Sequence, residues 1–515
     1  MSFTTMRASR RAAVLVAVAA ATLLPPAGPS PARAEVTAPT PAGVTAPTRS
    51  VALPPAEVTA TDVTVHSGAL DLPGTVFAPA VPGRPPAPAP PGAAGTPASP
   101  GTPGAATPGT RRPGVVIVHD AGPRPRATYE AEARLLAAAG IVTLVYDKRT
   151  EGYSLTLRSF EDLAGDAVAA VEVLRARPDV GPALVGLLGR SEGGWVAPLA
   201  ASRSDRVGFV VTVGASGLSP ARAQVWSNMA YLEHAGVASS LRGPLGADFT
   251  RQLVAAGLFG AAGHDPVVPL ERVRQPVLAV FGANDRSTAP GESVRLFGTA
   301  LARGGNPHHT IRVLPGADHT MHHSPDGFAR ATEPAPGYVD LVTSWVTGLG
   351  RRSPETSADP APAQFADSVA VRPLAWYESG AVQLGALALM LVAFLAYPVG
   401  ALVRRLRRGR RAPDRPLGRV PARILAVLGP LTVLGGLGYL GYVSATAARA
   451  LGPVVAGRPL PWLVLQLLAV VLSFSLAAVA VAFRKDRTAR ARLGTVLAGG
   501  LVFLPWAAYW GLLTP

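Results

Sequence analysis

The sequence predicts a doubly wound, mostly parallel α/β sheet with a small helical cap, followed by an all-α region of four transmembrane helices. Three observations predict it. From 114 to about 350, short β-branched runs alternate with helical segments. From 373 onward come four apolar stretches, 381–403, 424–448, 461–483 and 493–513, none of which holds an Asp, Glu, Lys, Arg or His. Between the two regions, 351–372 is polar and proline-rich, the composition of a linker.

Taken in chain order, 1–34 predicts a signal peptide. Arg10-Arg11 precede an apolar run too short to span a bilayer, and Ala32-Arg33-Ala34 offers a small-residue cleavage pattern before Glu35. Residues 35–58 repeat "VTAPT" and predict a disordered spacer. The α/β unit is expected over 59–350. Its first strand-like pieces, "DVTVHSG" and "GTVFAP", are followed by a Pro/Ala/Gly-rich tract, 79–113, whose composition cannot pack a core and which is expected as an inserted loop. The next runs, "GVVIVH", "IVTLVY", "ALVGLLG", "VGFVVTVG", "PVLAVFG" and "TIRVLPG", are continuously apolar, as strands covered by helices on both faces require. Ser159 and Asp162 form an N-terminal capping pattern ahead of a helical stripe. The alternation lapses over about 219–265, the expected cap. Residues 373–515 form the expected membrane domain.

Charge locates the basic residues. The net +16 is carried by three segments: four arginines in 1–34, nine arginines against Asp414 in 404–423, and five basic residues against Asp486 in 484–492. The rest of the chain is neutral, which excludes a nucleic-acid footprint. Both basic connections follow the first and third apolar stretches, and the connection between them holds only Arg449 and Arg458. Positive-inside logic then predicts a multi-pass cell-membrane protein with the α/β unit outside the cytoplasm. Spans without ionisable residues argue against an ion or proton pathway. Gly435, Gly436, Gly438 and Gly441 allow close helix approach, so a membrane-protein partner is expected at the second span besides the lipid bilayer itself. With no cysteine, neither disulfides nor thiolate metal sites exist.

The chemistry centres on "GRSEG", 189–193, which follows an apolar run and precedes "GWVAPLAASR". A serine between glycines at a strand–turn–helix junction is either an exposed nucleophile or a plain bend, and the helix behind it supplies positive potential for an oxyanion. Workable partners follow in order: Asp285 in "ANDRSTAP" after one strand, and His319 in "ADHTM" after the next. Asp318 is a poor rival acid, because adjacent side chains on an extended chain point apart. "VVIVHDAGP" offers the turn for a second oxyanion donor, with the Ala121 N–H as candidate.

Together, "VIVHDAGP", "VYDKRTEGYS", "GRSEGGWVAP", "FGANDRS" and "GADH" resemble the α/β-hydrolase superfamily, in its exported dienelactone-hydrolase-like, serine-aminopeptidase-like or acyl-CoA-thioester-hydrolase-like branch. The resemblance spans about 60–350. It implies Ser191 as nucleophile, Asp285 as acid and His319 as base, with main-chain N–H groups of Ala121 and Glu192 facing the oxyanion. It implies no cofactor, and a small acyl ester, thioester or peptide as substrate. The readings held against it are a non-catalytic membrane-tethered binding or sensory module and a serine peptidase acting on short peptides. Asp120 and Thr150 stand where the branch carries glycines, and Asp120 brings a charge near the oxyanion turn. Asp147, Lys148 and Arg149 read as ties between a strand end and its loops. Trp195 reads as core beneath the site, and the Glu192 side chain as solvated or facing a substrate amine. His308, His309, His322 and His323 lack the carboxylate spacing of a metal site.

Overall fold

A computed structural model describes residues 57–80, 111–408, 418–487 and 489–514. The expected signal peptide and nearly all of the expected spacer and inserted loop lie outside the described residues.

The α/β unit is built on a nine-stranded sheet in the order β1-β2-β4-β3-β5-β6-β7-β8-β9. β1 (Val58–Ser67) and β2 (Leu70–Pro79) form an antiparallel hairpin, and β2 also runs antiparallel to β4 (Val142–Tyr146). All later pairings are parallel: β4 with β3 (Arg112–Val118), then β5 (Val180–Arg190), β6 (Val210–Val213), β7 (Val277–Gly282), β8 (His309–Leu314) and β9 (Ser357–Ala358). Every residue of β4, β6 and β7 is buried, because apolar clusters cover both faces. One face is covered by helices Phe160–Arg175, Gly193–Arg203 and Pro290–Arg303, the other by Glu130–Ala138 and Tyr338–Gly348. Ser159 caps the first of these, its hydroxyl accepting from the Asp162 N–H at 3.1 Å.

Chain order reverses around β3: β4 lies on one side of it and β5 on the other. Such a switch point opens a crevice at the strands' carboxyl ends, and the loops after β3 and β5 meet there.

The segment 351–372, expected as a linker, is part of the unit. It supplies β9, and farther on its polar groups are paired. Glu292 accepts from the Ser368 N–H and hydroxyl (2.6 Å each), and the Trp226 indole donates to the Ala366 carbonyl at 2.8 Å. Polar, proline-rich composition does not distinguish a free tether from a strap whose hydrogen-bonding groups are satisfied by distant partners.

The cap comprises helix Pro220–His234, short turns over Ser239–Arg242 and Gly243–Asp248, and helix Phe249–Ala255. Four further helices, Gly380–Arg407, Arg419–Ala445, Leu460–Lys485 and Arg490–Tyr509, are long and apolar enough to cross a membrane. The second ends at Ala445, short of the apolar stretch, because Ala447 and Ala448 take left-handed backbone conformations. Cap and helices share one apolar core: Leu232, Val237, Leu241 and Leu245 cluster with Tyr439, Trp462, Trp510 and Leu512. A nearly buried Arg251–Glu378 ion pair (2.7 Å) and a backbone bond from Ala238 N–H to the Gly457 carbonyl (2.8 Å) fix the seam.

Candidate active site

The loop after β5 is shaped by its glycines. A Cβ on Gly189 would collide with the Gly193 carbonyl, and one on Gly193 with the Val118 carbonyl. Between them Ser191 sits at φ 50°, a left-handed conformation unfavourable for an L-residue with a side chain. The turn is held by the Ser191 N–H, which donates to the Val213 carbonyl at 2.9 Å. Helix Gly193–Arg203 begins directly behind it.

Three loops bring Ser191, His319 and Asp285 into one hydrogen-bonded line. His319 Nε2 lies 2.8 Å from Ser191 Oγ, and His319 Nδ1 lies 2.8 Å from Asp285 Oδ2. Asp285 is fully buried and accepts three more bonds, from the N–H groups of Ser287 (2.6 Å) and Thr288 (3.0 Å) and from the Thr288 hydroxyl (2.6 Å). With Oδ2 facing Nδ1, the proton belongs on Nδ1, which leaves Nε2 to accept from the serine. Burial alone would raise the Asp285 carboxyl, but the His319 charge and these donors outweigh it and hold it below the usual carboxylate range. Burial likewise opposes charge on His319, yet Asp285 prevails and raises the imidazole above its ordinary value. Asp318 is turned elsewhere, to Arg330 at 2.8 Å and to the N–H groups of Thr320 and His322.

Ala121 lies in the loop after β3 and Glu192 follows the serine. Among the described residues, none accepts a hydrogen bond from the N–H of either. The left-handed position of the β3 loop is Gly122 (φ 88°), not Asp120, so the aspartate does not strain the turn. Its carboxylate lies 4.0 Å from Arg190, which itself is paired with Glu132 at 2.8 Å. The charge that Asp120 brings is thus set against a buried guanidinium.

The Glu192 side chain is neither solvated nor open to a substrate amine, contrary to both expectations. It is 1% exposed and ion-paired to Lys148 (2.6 Å) and to Arg158. Lys148 spends all three N–H bonds on this cluster: Glu192, the Tyr153 hydroxyl (2.8 Å) and the Asp120 carbonyl (2.7 Å). Tyr153 accepts from the Gly122 N–H (2.9 Å) and donates to Glu192 (2.9 Å). The network therefore ties the β3 loop, on either side of Ala121, to the residue after the serine. Burial pulls Lys148 below its ordinary value, opposed by the Glu192 charge. Lys148 does tie a strand end to loops, as its position suggested; the pairing across 44 residues has no local signal in the sequence. Asp147 and Arg149 face away, to Arg126 and Asp166.

Trp195 packs on Phe160 beneath the elbow and donates to the Ser216 carbonyl at 2.9 Å. His119 is buried with its value lowered to about 4 by desolvation, so it stays neutral and donates Nε2–H to the Tyr146 carbonyl. No cluster of three His, Cys, Asp or Glu able to hold a metal occurs among the described residues.

A parallel sheet with an antiparallel leading hairpin, a nucleophile-type elbow after β5 and an Asp–His pair after β7 and β8 define the architecture. Residues 168–325, from the helix before β5 past His319, match the family model described as "BAAT / Acyl-CoA thioester hydrolase C terminal". The unit has an α/β-hydrolase fold. Solved structures similar to it include a putative dienelactone hydrolase from Klebsiella pneumoniae, 14% identical, with a TM-score of 0.36 over 56% of this chain and 98% of that one. Others are an esterase from Pyrobaculum calidifontis (15%, TM-score 0.39, 67% and 93%) and a Pyrococcus horikoshii acylaminoacyl peptidase (16%, TM-score 0.37, 59% and 43%). No curated protein sequence matches the chain.

Proposed function

We propose that this protein is a membrane-anchored, extracytoplasmic serine hydrolase that cleaves carboxylic esters, with thioesters and small acyl amides as the neighbouring chemistry. One observation carries the reading: Ser191, His319 and Asp285 form a continuous hydrogen-bonded line beside two unengaged main-chain N–H groups. In the reaction Ser191 Oγ attacks the ester carbonyl carbon while His319 Nε2 takes the hydroxyl proton. Asp285 stabilises the resulting imidazolium and keeps its Nδ1–H oriented. The N–H groups of Ala121 and Glu192, with the helix N-terminus behind Glu192, receive the oxyanion. Collapse of the tetrahedral intermediate passes the proton from His319 to the leaving alcohol and leaves an acyl-serine. Water, deprotonated by the same imidazole, then releases the acid.

The four apolar helices would anchor this unit, and the basic connections at 404–423 and 484–492 would stay cytoplasmic, leaving the hydrolase outside. Labelling intact cells with a membrane-impermeant fluorophosphonate tests both halves. The expected result is a labelled band of this protein that the Ser191→Ala variant lacks. A band seen only after lysis overturns the sidedness, and one that survives Ser191→Ala overturns the nucleophile. Single cysteines, placed in a chain that has none, refine the topology: one at Ser353 should react with an impermeant maleimide in intact cells and one at Pro413 should not.

A further inference from the structure

The connection between the second and third apolar helices does not end at the membrane unit. Arg449, which it carries, donates from its guanidinium to the Ser287 hydroxyl at 3.2 Å and lies 4.9 Å from the ring centre of Tyr231 in the cap. Ser287 in turn gives its N–H to Asp285. Arg449 is also close enough to act electrostatically on His319, where its charge opposes protonation. A residue of the membrane unit thus stands at the rim of the hydrolase site.

Several features indicate that this cation is held there for a ligand. No described carboxylate pairs with Arg449, although the residue is exposed. The guanidinium is delivered by a strained turn: Ala447 (φ 49°) and Ala448 (φ 58°) are both left-handed without being glycine. Such positions typically cost about 1 kcal/mol or more each and persist only where the surroundings enforce them. Here Ala448 is buried and its N–H donates to the Val443 carbonyl at 2.8 Å, while the Tyr439 hydroxyl fixes the Leu451 carbonyl at 2.9 Å. The other left-handed non-glycine residues among those described are Ser191, Ala289 near Asp285, Met321 near His319, and two more distant in sequence from the triad, Ala261 and Ala456. Arg286, next to Asp285, adds a second guanidinium at this rim, over the Phe328 ring. The cap beside it is fused into the apolar core of the membrane unit, and Tyr439, Tyr442, Trp462, Trp506 and Trp510 gather at that end of the helices, as aromatic residues do at a bilayer surface.

We infer that the site takes an acyl-ester amphiphile from the outer leaflet, with Arg449 binding a phosphate or carboxylate group carried near the scissile ester. Arg449 is a substrate-binding residue in this account. Its fork of donors suits such oxyanions, and the loop sets it where a headgroup meets the acid loop. The inference rests on the serine-hydrolase reading above, and its test separates the two.

The full chain is reconstituted in nanodiscs of diether phosphatidylcholine, which offers no carboxylic ester. Three substrates are compared: palmitoyl lysophosphatidylglycerol, monopalmitoylglycerol and soluble 4-nitrophenyl butyrate. The first two share the acyl group and the glycerol ester, and differ by the anionic headgroup. The wild type should favour the anionic lipid over the neutral one by about tenfold or more, the worth of a charged hydrogen-bond pair. Arg449→Gln should remove that preference through KM, with a smaller loss on butyrate than on the anionic lipid, and keep fluorophosphonate labelling of Ser191; Arg449→Lys should restore part of it. Equal loss on all three substrates would mean that Arg449 only braces the acid loop or tunes His319, and overturns the inference. So does a soluble anionic ester, mono-(4-nitrophenyl) succinate, outcompeting the lipid with equal dependence on Arg449, since the anion would then come from solution. Butyrate hydrolysis that requires Ser191 but shows no lipid preference sinks this inference alone. Absence of both labelling and butyrate hydrolysis sinks the serine-hydrolase reading beneath it.

Discussion

The two halves of this molecule treat buried polarity in opposite ways. In the hydrolase unit Lys148, Glu192 and Asp166 are buried and each bonded to a charged partner, Asp285 is buried against the His319 imidazole, and Arg190 is buried against Glu132. In the cores of the four apolar helices the buried polar residues are neutral: Thr432, Gln466 and Ser475. Thr432 returns its hydroxyl to the Leu428 carbonyl within its own helix, and Gln466 reaches the carbonyls of Gly511 and Thr514 near the helix end. Buried ion pairs add little net stability but fix geometry, because removing either partner leaves a desolvated charge. The first half thus holds its buried charges in fixed geometry, and the second carries few groups that an apolar medium would have to desolvate. The two halves meet at the seam with the cap and at the contact of Arg449 with Ser287.

The largest expected effect breaks the first half outright. Ser191→Ala, His319→Ala and Asp285→Ala should each lower kcat for ester turnover by about a thousandfold or more, and the double variants should lose little beyond the worst single one, because the three act as a unit. Steady-state kinetics on 4-nitrophenyl butyrate checks this; near-full activity in Asp285→Ala would exclude that residue as the acid. The next effect sharpens the contrast. Lys148→Met strands Glu192 opposite Arg158 alone and frees the Asp120 carbonyl and the Tyr153 hydroxyl from their shared donor. It should destabilise the hydrolase unit by about 3 kcal/mol and lower kcat more than it changes KM, since the Ala121 turn loses its tie through the Asp120 carbonyl and keeps only the one through Gly122 and Tyr153. Gln466→Leu, the corresponding deletion among the helices, should shift thermal unfolding far less. Equal shifts in a detergent melt would erase the distinction drawn here.

How much of this was legible in the sequence follows from what each interaction needs. Continuous apolar runs are local, so "IVTLVY" and "PVLAVFG" announced the central strands β4 and β7. The elbow was legible because its requirements, glycines at 189 and 193 and a helix start behind Ser191, all lie within a few residues. Lys148 with Glu192, or Arg449 with Ser287, are set by how distant loops fold back, and no periodicity encodes them. The strap at 351–372 misled for a related reason: its proline-rich composition is that of a tether, and only the distant Glu292 and Trp226 reveal it as packed. Glu192 misled by residue type. A glutamate beside an exposed serine reads as surface, but its neighbours in space are Lys148 and Arg158.

A smaller effect concerns pH. In the proposed mechanism neutral His319 accepts the Ser191 proton, and its value is raised above the ordinary 6.5 or so. The acid limb of kcat/KM should therefore bend above that pH and fall about tenfold per unit below the bend. Asp285, held low, stays ionised throughout and adds no second inflection in this range. The sign for stability is the reverse. The raised His319 contributes stability that is complete below its unfolded value and lost as pH rises through the folded one, so activity should climb where that contribution fades. A profile flat from about pH 5 to 8 on a substrate with rate-limiting chemistry would remove His319 from the mechanism.

The smallest effects test the membrane half, where small residues rather than charges set the packing. At Gly500 an added Cβ would run into the Leu476 side chain, and at Gly429 it would meet the Phe394 ring at 2.6 Å. At Gly441, in the second helix, it would meet nothing within 4 Å, whereas Gly435, on the same helix, is already close to Leu465. Gly500→Ala should accordingly destabilise the four-helix unit by about 1 kcal/mol or more, since the facing leucine must leave its rotamer. Gly441→Ala should leave it unchanged or stabilise it by up to about 1 kcal/mol, because alanine loses less backbone entropy in a helix. Thermal unfolding in detergent, followed by loss of ellipticity, reads both. Running the same pair through a size measurement adds a second use. The open face at Gly438 and Gly441 is where another helix could approach without displacing anything. If Gly441→Leu shifts the detergent-solubilised protein to a smaller assembly while its melting point holds, that face carries a helix–helix contact beyond this chain. If the size is unchanged and the melt is lowered, Gly441 packs within the unit, and the division between closed and open glycines fails.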